Sequence, residues 1–381
     1  MSVFNQKVID VTAQPMFFGE DTGTARFDIY KHKIFEDLTE KQLSFFWRPE
    51  EVNLTADRAQ YDKLQPFEQR IFTNNLKYQS LLDSIQGRAP GLAFSAICSD
   101  VSLETWIQTW GFSETIHSRS YTHIMRNLYD NPSKEFDDIV LNPAIMKRAT
   151  AISDYYDNLI DAVRYYQNAK EHLNTGRANG AIIDDRLEDA MRKLYLCMHV
   201  VNALEAIRFY VSFACTFNFM ESYEIMEGNV KIMKLIARDE QLHLKGTQYI
   251  IRQIQNGGEG ELWQSIAKEL QEESNKIFLD VAKQEKEWVD DLFVDGEPRG
   301  LNKNNMYAYV DYLTHSRMQS CGLDSPFRGQ SLKHPIPFMR KYLNSEMVQV
   351  APQEVEISSY LISQLDHDID ADIHQSFKKY F

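Results

Sequence analysis

Two Glu-x-x-His pairs stand where helical sequence should be apolar. The first is Glu114 with His117, the second Glu240 with His243. In the segment 101–129, Leu103, Trp106, Trp110, Tyr121, Ile124 and Leu128 recur at steps that keep one helical face, and Glu114 and His117 fall on that stripe between Trp110 and Tyr121. The segment 223–255 repeats the pattern. Its stripe runs Met226, Val230, Met233, Ile236, then Glu240 and His243, then Thr247, Ile250 and Ile254. Residues three apart on a helix project from one face, so each carboxylate and its imidazole can reach a common point. A third stripe, in 185–217, runs Leu187, Met191, Leu194, Met198, Val201, Glu205 and Phe209 and carries a carboxylate of its own. In 66–86, Asp83 lies among Leu81, Leu82 and Ile85 on a less regular pattern.

A lone carboxylate in a core costs several kcal/mol, so each of these needs a partner. Asp83, Glu114, Glu205 and Glu240 together carry four negative charges, which two divalent cations would neutralise; without cations the group would repel itself and partly protonate. Two Glu-x-x-His helices plus single carboxylates on two others are what a dinuclear metal site in a four-helix bundle requires. One such pair alone would be an ordinary surface pair or a satisfied core histidine. Oxygen and nitrogen ligands together suit iron or manganese better than a thiolate-loving metal. Neither pair is an H-E-x-x-H, which disfavours a zinc protease. The chemistry implied is dioxygen activation or iron storage.

The elements that must position these residues are long and helical. Helical periodicity spans 66–86, 101–129, 144–168, 185–217, 223–255, 260–290 and 304–320, punctuated by Pro66, Pro132, Pro143 and Gly257-Gly258. The stretch 169–184 breaks the pattern and is expected to be a surface excursion. Past Val350 the chain turns acidic, with Glu354, Glu356, Asp366, Asp368, Asp370 and Asp372 and few large apolar residues. Residues 1–349 are therefore expected to form an all-α body and 350–381 a mobile acidic tail. The chain has 381 residues, 43% hydrophobic and 25% charged, enough to bury a sizeable core. A formal net charge of −14 argues against duplex nucleic-acid binding. The charge-free apolar stretch Phe209–Met220 is too short to span a bilayer, and the N-terminus shows no secretory pattern. Four scattered cysteines, Cys98, Cys197, Cys215 and Cys321, suit a reducing, cytoplasmic compartment.

At these residues the sequence resembles the small, radical-generating subunit of class I ribonucleotide reductase, closest to the class Ia type of enteric bacteria and their phages. The similarity lies in PMFFG at 15–19, KQLSFFWRPEEV at 41–52, NLKYQSLLDSIQGR at 75–88, FSETIHSRSYTHI at 112–124, NALEAIRFYVSFAC at 202–215, LIARDEQLHL at 235–244 and VQVAPQEVEISSYL at 348–361. The resemblance implies a ferritin-like bundle in which Asp83, Glu114 and His117 hold one metal and Glu205, Glu240 and His243 the other, with Glu114 and Glu240 able to bridge. It implies two irons per chain, with manganese open, activated by dioxygen. Tyr121 matches the radical-bearing tyrosine, and Phe209, Phe213 and Ile236 match the apolar residues that shield it. Trp47 and Asp239 match the relay that carries the oxidising equivalent outward, Asp239 through a hydrogen bond to His117. Tyr360 and Glu354 match tail residues that pass it to the large subunit. A large-subunit partner and a homodimer are implied with them.

The leading expectation is thus a radical donor that serves ribonucleotide reduction on a larger partner. The chain carries no phosphate-cradling Gly-rich loop and no vicinal cysteine pair, so it cannot reduce a nucleotide alone. The alternative is a dimetal-carboxylate oxygenase or desaturase acting directly on an organic substrate, which needs neither Tyr121 nor a tail tyrosine. Iron storage predicts cage assembly, and a purely structural bundle leaves the carboxylates on the apolar stripes unexplained. The C-terminus, Ser376-Phe377-Lys378-Lys379-Tyr380-Phe381, departs from the family's acidic pattern. Docking through Phe377, Tyr380 and Phe381 remains compatible with it, while cross-binding to a relative's large subunit is in doubt. A synthetic peptide of residues 362–381 is expected to compete with assembly on the large subunit and inhibit turnover; undiminished turnover at high peptide concentration would count against the tail as anchor.

Overall fold

A computed structural model describes residues 5–173, 179–327 and 333–343. The first helices are α1 (Lys33–Ser44), α2 (Thr55–Tyr61), α3 (Pro66–Gln86), α4 (Ala89–Ala93), α5 (Val101–Leu128), α6 (Pro132–Asp137) and α7 (Pro143–Leu173). Then come α8 (Gly180–Ala203), a π-helical turn over Leu204–Arg208, α9 (Phe209–Tyr223) and α10 (Glu227–Gln255). The last are α11 (Glu261–Glu269), α12 (Gln271–Leu292), α13 (Lys303–Ser320) and α14 (Met339–Leu343). Among the described residues the β pairing consists of one isolated antiparallel bridge, Phe17 with Cys98.

Local chemistry sets the ends of the central helices. Asp100 caps α5 by accepting from the Leu103 N–H at 2.9 Å. Pro66 opens α3, where Gln65 and Glu68 form a reciprocal capping box. Buried Asp57, on α2, accepts from the Asn229 and Gly228 N–H groups at 2.7 and 3.3 Å, satisfying first-turn donors of α10. Helix α5 packs against α1, α3 and α10, while α8 and the π turn pack against α10 and α12. The four segments α3, α5, α8–π–α9 and α10 enclose the core between them.

Several boundaries differ from the periodicity. Helix α7 continues to Leu173, so the expected excursion from 169 begins later; residues 174–178 lie outside the described residues. The expected helix 260–290 is two helices joined at Leu270, because Leu270 ends α11 and begins α12 without a continuous ladder. Helix α1 falls outside the expected ranges because its stripe is short: Ile34, Phe35, Leu38, Thr39 and Gln42 are its buried residues. The run Gly180–Tyr223 is apolar and long enough to cross a membrane by composition, more than the stretch Phe209–Met220 alone indicates, and its apolar window is wholly buried in the fold. It is a core helix. The boundary at 349/350 lies outside the described residues.

Close approach of the two Glu-x-x-His helices depends on Gly246 of α10. A Cβ there would meet the Trp106 indole nitrogen of α5 at 2.5 Å, and Trp106 is buried and cannot swing away. Gly246→Ala is expected to lower stability by about 1–3 kcal/mol in urea unfolding. Gly180→Ala, which meets no atom within 4 Å, should be neutral or slightly stabilising. Equal effects would show that α5 and α10 have slack between them.

Candidate metal centre

The four core segments bring six side chains to one place. Asp83 comes from α3, Glu114 and His117 from α5, Glu205 from the π turn, and Glu240 and His243 from α10. All six are fully buried. They form two overlapping groups, Asp83, Glu114, His117 and Glu240, and Glu114, Glu205, Glu240 and His243; in each, one ligand atom per residue lies within 4.8 Å of the others. Glu114 and Glu240 belong to both.

The oxygen assignments explain the sharing. His117 Nδ1 lies 3.2 Å from Glu114 Oε2 and 3.2 Å from Glu240 Oε1. His243 Nδ1 lies 3.0 Å from Glu114 Oε1 and 3.5 Å from Glu240 Oε2. Each of these carboxylates therefore turns one oxygen toward each imidazole, the disposition of a bridging ligand. Asp83 Oδ2 approaches His117 Nδ1 at 3.8 Å, and Asp83 belongs only to the group that lacks Glu205. Glu205 Oε2 and His243 Nε2 have no hydrogen-bond partner, and the carboxylates of Asp83, Glu114 and Glu240 crowd around the two imidazoles. Buried polar atoms are rarely left so, and this many converging on one spot are fitted to metal ions that would satisfy them together.

The metal-free charge balance says the same. Burial, then the Glu114 charge, pushes Asp83 well above the ordinary carboxylate range, and burial pushes Glu205 up likewise. Glu114 is also pushed up by burial, but the His243 charge and hydrogen bonds from both imidazoles outweigh this and hold it at about 2. His243 is driven up to about 10 and His117 also upward; burial opposes both shifts, and the surrounding carboxylates prevail. In the metal-free protein both imidazoles therefore hold their protons and offset part of the carboxylate charge.

Around this cluster, Asp239 Oδ2 joins His117 Nε2 at 3.1 Å and accepts from Trp47 Nε1 at 2.9 Å. Burial acts to raise Asp239, but hydrogen bonding to His117 and the Arg238 charge hold it below its usual value. Tyr121 is fully buried on the His117 face of α5. Burial, followed by the charge of Asp83, pushes its phenol well up, so it is protonated at rest. Phe209, Phe213 and Ile236 are fully buried, and Phe209 stacks on Phe213 at 6.0 Å. Glu354 and Tyr360 lie outside the described residues.

Three features were not anticipated from the sequence. Gln86 donates to Glu205 Oε1 at 2.8 Å and accepts from Tyr156 at 2.9 Å. It lies three residues after Asp83, and that spacing on α3 was the available signal. Trp110, one turn before Glu114, is more than stripe: its Nε1 donates to Glu114 Oε1 at 3.0 Å. The π turn itself left no sequence signal, since its residues satisfy an ordinary apolar stripe.

Ligation requires deprotonated groups, so loading must expel the protons held by Asp83, Glu205, His117 and His243. Affinity for a divalent metal is expected to rise with pH through the neutral range, with more than one proton released per loaded chain. Calorimetry in buffers of differing ionisation enthalpy measures this. Loading without proton release would contradict the charge balance described.

Comparison with known proteins agrees with this architecture. A family model described as ribonucleotide reductase, small chain, matches residues 26–335. The chain is 59% identical over 386 residues to the ribonucleoside-diphosphate reductase subunit beta of Enterobacteria phage T4, covering all of both chains. It is 52% identical to ribonucleoside-diphosphate reductase 1 subunit beta of Escherichia coli O157:H7, with 99% of each chain covered. The ribonucleotide reductase R2 subunit from Clostridium botulinum shares the fold at a TM-score of 0.72 and 23% identity, over 90% of this chain and 98% of that one. The dimanganese(II)-NrdF of Streptococcus sanguinis shares it at 0.64 and 17%, over 83% and 98%. A ferritin-like all-α bundle, a buried carboxylate–histidine site and full-length identity of this order lead to one conclusion: the chain belongs to the ribonucleotide reductase small-chain family.

Proposed function

We propose that this chain is the radical-generating β subunit of a ribonucleoside-diphosphate reductase, holding an oxidised Tyr121 for loan to a large subunit that binds and reduces ribonucleotides. The observation that carries this is the pair of overlapping ligand groups beside a fully buried tyrosine. Asp83, Glu114 and His117 would hold one metal and Glu205, Glu240 and His243 the other, with Glu114 and Glu240 bridging. Two redox-active metals bound there supply the dioxygen chemistry that oxidises a nearby phenol. The class Ia resemblance favours iron, and the same ligands serve manganese.

The protein's own residues manage the proton and the surroundings. A phenol oxidised to a neutral phenoxyl loses an electron and a proton together. The Asp83 carboxylate, the charge that most strongly influences Tyr121, is suited to take the proton. Phe209, Phe213 and Ile236 are fully buried apolar side chains, suited to keep water and reductants from the radical. The His117–Asp239–Trp47 chain leads outward, with the Trp47 and His117 rings 6.4 Å apart and Phe46, the residue before Trp47, exposed. A low-lying Asp239 carboxylate fixes the His117 ring and accepts from the indole, coupling the two. Glu354 and Tyr360, outside the described residues, are assigned the last steps of the relay by the family resemblance. The chain works as a homodimer in the cytoplasm, the last supported by four free cysteines.

Anaerobic loading with ferrous iron, admission of air and low-temperature EPR test the proposal. Wild type should give a tyrosyl doublet and support ribonucleotide reduction when mixed with the large subunit. Tyr121→Phe should oxidise iron, give no doublet and lose turnover. A Tyr121→Phe variant that still turns over would sink the radical role, and direct oxidation of an organic substrate would replace it with the oxygenase.

A further inference from the structure

Glu205 and Arg208 lie three residues apart in the π turn, and both are buried. On a regular α-helix that spacing puts two side chains on one face. Here they serve different neighbours. Glu205 joins Glu114, Glu240 and His243. Arg208 enters a second polar cluster made with α3 and α12. Its Nη1 donates to Glu285 Oε1 at 3.1 Å and to the Tyr78 hydroxyl at 3.4 Å, and its Nη2 donates to Gln284 Oε1 at 2.7 Å. Tyr78 donates to the same Glu285 oxygen at 2.7 Å, and Arg148 Nε stands 3.6 Å from it. Arg208, Glu285, Tyr78 and Arg148 are each no more than 2% exposed.

The wider i→i+5 winding of a π turn inserts an extra residue and rotates its members relative to an α-helix. Rewinding Leu204–Arg208 as α would return Glu205 and Arg208 to one face, and one of the two clusters would lose its member. Helix α12 contributes nothing to the candidate metal centre, yet its polar residues reach toward the segment that does. Besides Gln284 and Glu285, Trp288 Nε1 donates to Asn75 Oδ1 at 3.1 Å, and that oxygen also accepts from Ser212 of α9 at 2.9 Å. A guanidinium held by its planar fork between a carboxylate and an amide fixes direction as well as charge. A buried ion pair is a poor source of net stability, so the geometry of this one directs attention to what it positions.

We propose that Arg208 is a positioning residue: gripped by Glu285, Gln284 and Tyr78, it holds the Leu204–Arg208 turn in its π winding and so fixes where Glu205 presents its carboxylate to the metal. This rests on Glu205 being a ligand, and the test separates the two ideas. Manganese(II) is titrated into the full-length apo-protein, free metal is followed by EPR, and urea unfolding of each apo form is measured alongside. Arg208→Lys keeps the charge but not the fork. It should weaken one of the two manganese sites about tenfold, as loss of a residue supporting a ligand does, and leave the other nearly unchanged. Glu205→Ala should weaken the same site, and Arg208→Lys should add nothing in that background. If Glu205→Ala leaves both affinities intact, the ligand assignment fails and the clamp with it. If Glu205→Ala weakens a site while Arg208→Lys lowers only the urea midpoint, the clamp alone is overturned. Should Arg208→Lys not fold, Tyr78→Phe, which removes one hydroxyl from Glu285, replaces it; a smaller loss at the same site supports the clamp, and unchanged affinities overturn it.

Discussion

Four carboxylates are buried in two overlapping clusters that share Glu114 and Glu240, and the rest of the structure follows from the need to make that tolerable. In water-free surroundings their mutual repulsion and lost hydration are each worth several kcal/mol. Two imidazoles between them supply part of the compensation when no metal is bound, which is why His243 is driven to about 10. Two divalent cations would supply the rest. The same arrangement that makes the site costly when empty makes it a strong and oxygen-rich binding site, and it couples metal uptake to proton loss.

Each helix around the cluster meets a geometric demand set by it. Helices α5 and α10 must approach closely for Glu114 and Glu240 each to turn oxygens toward both His117 and His243, and Gly246 against Trp106 permits that. The turn carrying Glu205 departs from α winding at that residue. Gln86 and Trp110 then orient the carboxylates that the backbone has delivered. Tyr121, one turn after His117, needs no separate device, because the helix that presents the ligands presents the phenol as well.

Much of this was legible in the sequence because polar residues on an apolar stripe are conspicuous. Glu114, His117, Glu240 and His243 break regular periodicity in α5 and α10, and the helix over 66–86 agrees with its observed bounds. Asp83 was less evident, since α3 also buries Asn75, Gln79 and Gln86 and its stripe is correspondingly mixed. The π turn was invisible: one extra residue per turn leaves Val201, Glu205 and Phe209 at spacings an α-helix also allows. The Arg208–Glu285 pairing could not be read either, because 77 residues separate the partners and both look like surface charges in the sequence. The assignment of Tyr121, Trp47 and Asp239 to radical chemistry came from resemblance; periodicity marks them only as buried.

The central claim is that the six buried residues hold two metals and not one. Crystals of the loaded protein, with anomalous diffraction collected on either side of the bound metal's absorption edge, test it most directly. Two anomalous peaks are expected. One should be bound by Asp83 and His117, the other by Glu205 and His243, with Glu114 and Glu240 reaching both. A single peak at full loading, or two peaks elsewhere in the molecule, would contradict the dinuclear assignment and the chemistry built on it.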